Sequence, residues 1–154
     1  MTPELQEKLY KKYPKLFLQK GLSIQESCMV FGVECGSGWY NLIYCLCDSI
    51  QSYIDCNNKD QVEFTQMKEK YGGLRAYICK DDDLVRGMVW FAEGLSYKIC
   101  EDCGSIENII ISRGWVSVKC EKCWKKHRRR IFIRGIKHFI YSFFRRMVRC
   151  VKKR

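Results

Sequence analysis

Two cysteine pairs, Cys100-Glu101-Asp102-Cys103 and Cys120-Glu121-Lys122-Cys123, stand sixteen residues apart (104 to 119), and nothing else in the sequence constrains the fold as tightly. The spacing fits the template of a structural zinc site. Zinc takes four thiolate sulfurs at the corners of a tetrahedron, and a two-residue gap lets one tight turn present two of them. Gly104, directly after the first pair, supplies a permissive backbone where the chain leaves the knuckle. Between the pairs, Ile109-Ile110-Ile111 and Trp115-Val116-Ser117-Val118 flank a break at Ser112-Arg113-Gly114. This predicts the two short strands of a zinc ribbon. With Cys100, Cys103, Cys120 and Cys123 as ligands, the expectation is one structural Zn2+ per chain with no open position for a catalytic water. A pair of disulfides and four ordinary buried cysteines are the alternatives, and His127 is a substitute ligand ranked below the four thiols.

The chain has 154 residues, enough for one compact domain with an appendage. Eleven cysteines would suit a secreted disulfide scaffold, but the number is odd and four are claimed by the metal template. The start Met1-Thr2-Pro3-Glu4-Leu5 also lacks a basic region followed by an apolar one. A reducing cytoplasm is therefore the expected compartment, with the other cysteines as small buried hydrophobes or free thiols.

The net charge of +11 is distributed very unevenly. Residues 1–124 hold all seventeen acids against fifteen bases, a net of −2, whereas 125–154 hold thirteen bases and no acid, a net of +13. Attraction to a polyanion belongs mostly to the last thirty residues.

The periodicity predicts an α+β protein: a body over 1–99 of amphipathic helices and a β-hairpin, a ribbon over 100–124 packed on it, and a basic amphipathic helical tail over 125–154. Thr2 and Pro3 read as the N-cap and first position of a short helix that stops near Pro14. Cys28 to Gly38 reads as strand and turn. Apolar residues at spacings of three and four from Trp39 to Ile54 predict a helix to about Cys56. Val62 to Lys68, the turn Tyr71-Gly72-Gly73 and Leu74 to Cys79 predict the hairpin. Asp81-Asp82-Asp83 offers an N-cap for a helix from Leu84 to Gly94 or Leu95, and lacks the alternating oxygen ligands of a calcium loop.

In the tail, Ile133, Ile136, Ile140, Phe143, Phe144, Met147 and Val151 share one helical face and Arg134, Arg145, Arg149, Lys152 and Lys153 the other. The cations rule out a membrane span. Three fates remain for the apolar face: docking on the body, lying in an anionic membrane interface, or filling a partner protein's groove. The cationic side, with Lys125, Lys126, Arg128, Arg129, Arg130, Arg134, Arg145 and Arg149, suits nucleic acid or another polyanion. Trp115 and Trp124 near the knuckles are candidates either for stacking on unpaired bases or for ordinary packing.

Nothing here requires an enzyme, and no small-molecule substrate is identified. Both histidines lie in the tail, Cys45 and Cys47 point to different faces of a helix, and Cys35-Gly36-Ser37-Gly38 lacks the Lys-Ser or Lys-Thr of a phosphate-binding loop. Glu34, Glu63, Lys70 and Arg75 are pocket candidates that no spacing rule lifts above structural roles.

The segments Gly32-Val33-Glu34-Cys35-Gly36-Ser37-Gly38-Trp39-Tyr40, Lys68-Glu69-Lys70-Tyr71-Gly72-Gly73-Leu74-Arg75, Ala92-Glu93, Ser96 and Cys100 to Gly104, with Gly114-Trp115 before Cys120, are present in this order. Over about residues 14–124 the chain resembles a group of small bacteriophage and prophage proteins with a C-terminal zinc ribbon. The resemblance implies a metal site and a phage context, hence the cytoplasm of a bacterial host or its membrane periphery, and it implies no activity. The basic tail departs from the group. Two functions follow as expectations: a zinc-stabilised phage-type accessory protein that binds nucleic acid or another polyanion through the tail, or a phage effector that engages a host protein or the inner membrane surface. A hydrolytic enzyme is a distant third.

Overall fold

The computed structural model describes residues 1–80, 82–131 and 133. The chain divides into two units, Met1–Cys120 and Glu121–Arg154.

In the first unit, helix α1 (Pro3–Lys12) begins with Thr2 in an extended N-cap conformation and Pro3 inside the first turn; the Thr2 side chain makes no capping hydrogen bond. Two single-turn 3-10 segments, Leu18–Gly21 and Cys28–Phe31, lead into the short strand β1 (Val33–Glu34). The Gly-punctuated stretch from Cys28 to Gly38 is thus mostly 3-10 turns around a two-residue strand. A further 3-10 turn, Ser37–Trp39, opens helix α2 (Tyr40–Asn57). Leu42, Ile43, Leu46, Cys47, Ile50 and Ile54 form its buried stripe. It stops at Asn58, whose left-handed backbone returns N–H groups to the Ile54 carbonyl.

Strands β2 (Glu63–Lys70) and β3 (Gly73–Cys79) form the expected antiparallel hairpin, and β1 adds to β2 in parallel, giving the order β1-β2-β3. Phe64 and Met67 are both fully buried although three residues apart, a spacing that puts side chains on opposite faces of a regular strand. The register shift between Phe64 and Gln66 resolves this, because one extra residue turns Met67 back to the core.

Helix α3 (Asp83–Ser96) is capped by Asp82, whose carboxylate accepts from the Val85 N–H at 3.0 Å; Asp81 lies outside the described residues. The helix packs along β3 and closes its outer edge. Leu74 N–H donates to Ser96 Oγ at 2.9 Å and Ala76 N–H to Glu93 Oε1 at 3.0 Å. Arg75 completes this seam, donating to Tyr97 Oη at 3.1 Å and lying 3.7 Å from Glu93 Oε2.

Leu9, Phe17, Met29, Val33, Trp39, Ile43, Ile50, Phe64, Met67 and Leu74 form one core. Trp39 is fully buried and satisfies its indole N–H on the Ile99 carbonyl at 3.0 Å, tying α2 to the chain just before the first cysteine pair.

Strands β4 (Ile109–Ile111) and β5 (Val118–Cys120) form a second, two-stranded antiparallel sheet. The expected second strand at Trp115–Val118 is therefore displaced to Val118–Cys120. Ser112 causes the shift: its hydroxyl donates to the Trp115 carbonyl at 2.7 Å and accepts from the Ser117 N–H at 2.9 Å, folding 112–117 into a loop. Residues 121–131 of the second unit are helical. Arg134, Arg145, Arg149 and the apolar face from Ile136 to Val151 lie outside the described residues. No helix among the described residues is long and apolar enough to cross a membrane.

Candidate metal centre

The first cysteine pair sits on a tight turn after α3. Gly104 N–H donates to the Cys100 carbonyl at 2.8 Å, and Cys100 N–H to the Ser105 carbonyl at 2.7 Å. Gly104 has φ +79°, the left-handed geometry that favours glycine. Glu101 N–H reaches the Val118 carbonyl at 3.0 Å and so fastens the turn to β5, which ends at Cys120.

The Sγ atoms of Cys100, Cys103, Cys120 and Cys123 all lie within 4.8 Å of one another, and the four-cysteine group can hold a metal ion. Cys103 Sγ and Cys120 Sγ are 3.6 Å apart. Four thiolates about 2.3 Å from a tetrahedral ion would stand about 3.8 Å from each other. The spacing thus suits ligands of one ion, and at this pair it lies far beyond the roughly 2.05 Å of a disulfide. Cys100 and Cys120 are buried, Cys123 is half-buried and Cys103 is exposed. An all-sulfur donor set offers firm binding and no free coordination position for substrate. His127, the substitute ligand, instead stacks on Trp124, with ring centroids 5.6 Å apart and planes 15° apart.

The Cys35-Gly36-Ser37-Gly38 turn proves to be the seat of the first knuckle. Gly38 N–H donates to the Glu101 carbonyl at 2.7 Å and Gly36 N–H to Glu101 Oε1 at 2.9 Å. A Cβ on Gly36 would fall 2.2 Å from the Glu101 carbonyl oxygen, so only glycine lets the two backbones approach this closely. Burial pushes the Glu101 carboxyl above its usual pKa, opposed by the Gly36 N–H. Sequence reasoning missed this contact. Its signal was two glycines in a segment with no phosphate-binding sequence.

The pocket candidates are not gathered into one site. Glu63 and Lys70 stand at opposite ends of β2. Glu63 accepts from Gln19 at 3.1 Å, and Arg75 belongs to the α3 seam. Cys45 is exposed and Cys47 buried, on different faces of α2. Lys125, Lys126, Arg128, Arg129 and Arg130 are all exposed on the helix over 121–131, where Lys125 pairs with Glu121 at 2.7 Å. Trp115 does not pack: it is 90% exposed. Comparison with family models, curated proteins and solved structures finds no match for the chain.

Proposed function

We propose that this is a zinc-stabilised accessory protein of phage type that binds nucleic acid or another polyanion through the basic segment beginning at Lys125. Zinc is the ion best suited to four thiolates at tetrahedral spacing, since soft sulfur ligands select it and its closed shell imposes no competing geometry. The phage setting draws its support from the sequence resemblance over residues 14–124.

One observation carries the polyanion reading. Five of the six residues from Lys125 to Arg130 are cationic and all six are exposed on one helix, two residues past the metal-site thiol of Cys123. Each phosphate such a segment neutralises steepens the fall of log affinity with log salt by about 0.9 on duplex DNA. The test is a salt titration of binding to duplex and single-stranded DNA and RNA, with and without Lys125, Lys126, Arg128, Arg129 and Arg130 replaced by Gln. A steep slope that flattens in the variant supports the reading. Equal slopes overturn it.

The amphipathic repeat from Ile133 to Val151 in the sequence favours a second reading, a phage effector that engages a host protein or inner membrane surface. Binding to anionic vesicles with none to nucleic acid would select it.

A further inference from the structure

We infer that Tyr71 and Trp115 form a stacking site for an unpaired nucleobase of a single-stranded nucleic acid. The inference deepens the polyanion reading and rests on it, but it places a base-recognising element in the first unit.

The β2–β3 turn is a two-residue loop, Tyr71-Gly72, with φ +53° and +78°. Such a turn favours Asn-Gly or Gly-Gly, because both central residues take left-handed backbone. A bulky side chain in the first position is strained and is normally repaid by packing. Tyr71 is not repaid in this way: it is 73% exposed. Across from it, the Ser112-fastened loop, with Gly114 at φ +80°, presents Trp115 at 90% exposure. The two turns touch, since a Cβ on Gly72 would lie 2.7 Å from Val116 Cγ1. Two large rings are thus held in water by built turns at considerable cost in unburied surface.

Between them lies a cleft of about 360 Å3 lined by Glu69, Lys70, Tyr71, Gly114, Trp115 and Val116. Tyr71 and Trp115 make no ring contact with each other, and the cleft both of them line has the volume to take a flat heterocycle. Glu69 turns its carboxylate onto the Gly72 N–H at 2.6 Å. The Lys70 ammonium, 5.6 Å from the Tyr71 ring centre, forms no ion pair among the described residues, and Arg113 precedes the loop glycine. Aromatic faces beside the Lys70 ammonium match a base and its phosphate.

The experiment compares the full chain's affinity for a short oligothymidylate and for an abasic strand of equal length and charge, over a range of salt. The expected preference for the base-bearing strand is about 5- to 150-fold. Trp115→Ala should abolish that preference without changing the salt slope, and Trp115→Phe should keep part of it. Tyr71→Asn should weaken the preference while raising Tm, because asparagine relieves the turn; a purely structural tyrosine would not give both effects. Equal affinity of the unmodified protein for the two strands, with steep salt dependence, overturns this site and leaves the polyanion reading standing. A base preference without salt dependence does the reverse. Binding of neither strand overturns both, as does retention of the preference by Trp115→Ala for the stacking site alone.

Discussion

Gly38 lies so close to the first cysteine knuckle that a Cβ there would stand 2.2 Å from the Cys100 carbonyl oxygen and 2.4 Å from the Gly104 amide nitrogen. Both obstacles are backbone atoms of the turn that carries two of the four thiols, so neither can swing aside. Gly38→Ala should therefore lower both stability and metal affinity, with a folding cost of about 1–3 kcal/mol or more. Thermal melts with and without a chelator check this. The same melting temperature for variant and parent would show that the knuckle can retreat from the Ser37–Trp39 turn.

Loss of a thiol tests the metal centre directly. Cys103 is exposed, so replacing it with serine removes a ligand with little loss of packing. Cys103→Ser should bind far less metal and lose several kcal/mol, because metal binding at such a site is also folding free energy. Elemental analysis of fresh protein, with one equivalent of zinc expected for the parent, is the measurement. Unchanged zinc content in the variant would defeat the assignment.

Asp82 caps α3 and also accepts from the Tyr53 hydroxyl at 2.6 Å. The Tyr53 hydrogen bond, followed by the Val85 N–H, holds its carboxyl below the usual value of 3.8. A carboxyl depressed on folding stabilises the protein above its unfolded pKa and loses that contribution as pH falls through the folded value. Asp82→Ala should thus lower Tm at neutral pH, and the difference from the parent should shrink below pH 3.8. Asp82→Asn, which can still cap, should fall between them. A Tm gap that persists to the lowest pH would count against this.

Thiol chemistry should divide the remaining cysteines by burial. Desolvation pushes Cys35 up to about 12 and raises Cys47 as well, so both stay protonated at neutral pH. Cys28, Cys45 and Cys56 are exposed. Brief alkylation of native protein followed by peptide mass mapping should label these three and spare Cys35 and Cys47. Early labelling of Cys47 would mean that α2 opens readily.

Much of the fold was legible because the residues concerned act locally. The stripe from Leu42 to Ile54, the Asp82 cap and the Tyr71-Gly72-Gly73 turn each state their structure within a few positions of chain, and the four thiols carry the spacing of a group that can hold one metal ion. What escaped depends on partners distant in sequence. Val33 and Glu34 are strand only because Met67 and Lys68 lie beside them. The bulge before Gln66 shows only when Phe64 and Met67 are found on one face, and the second ribbon strand moved because a single hydroxyl, Ser112, closed the loop ahead of it. Gly36 and Gly38 looked like a turn of unknown purpose until the Glu101 backbone was found against them.

The side chains of Ser96 and Glu93, spent on the amides of Leu74 and Ala76, give the three-stranded sheet an end. A strand from another molecule arriving at β3 would meet donors already engaged and a helix in its path, so growth by strand addition is blocked there. With that edge occupied, the hairpin is guarded on its β3 side against the edge-to-edge pairing from which fibres grow.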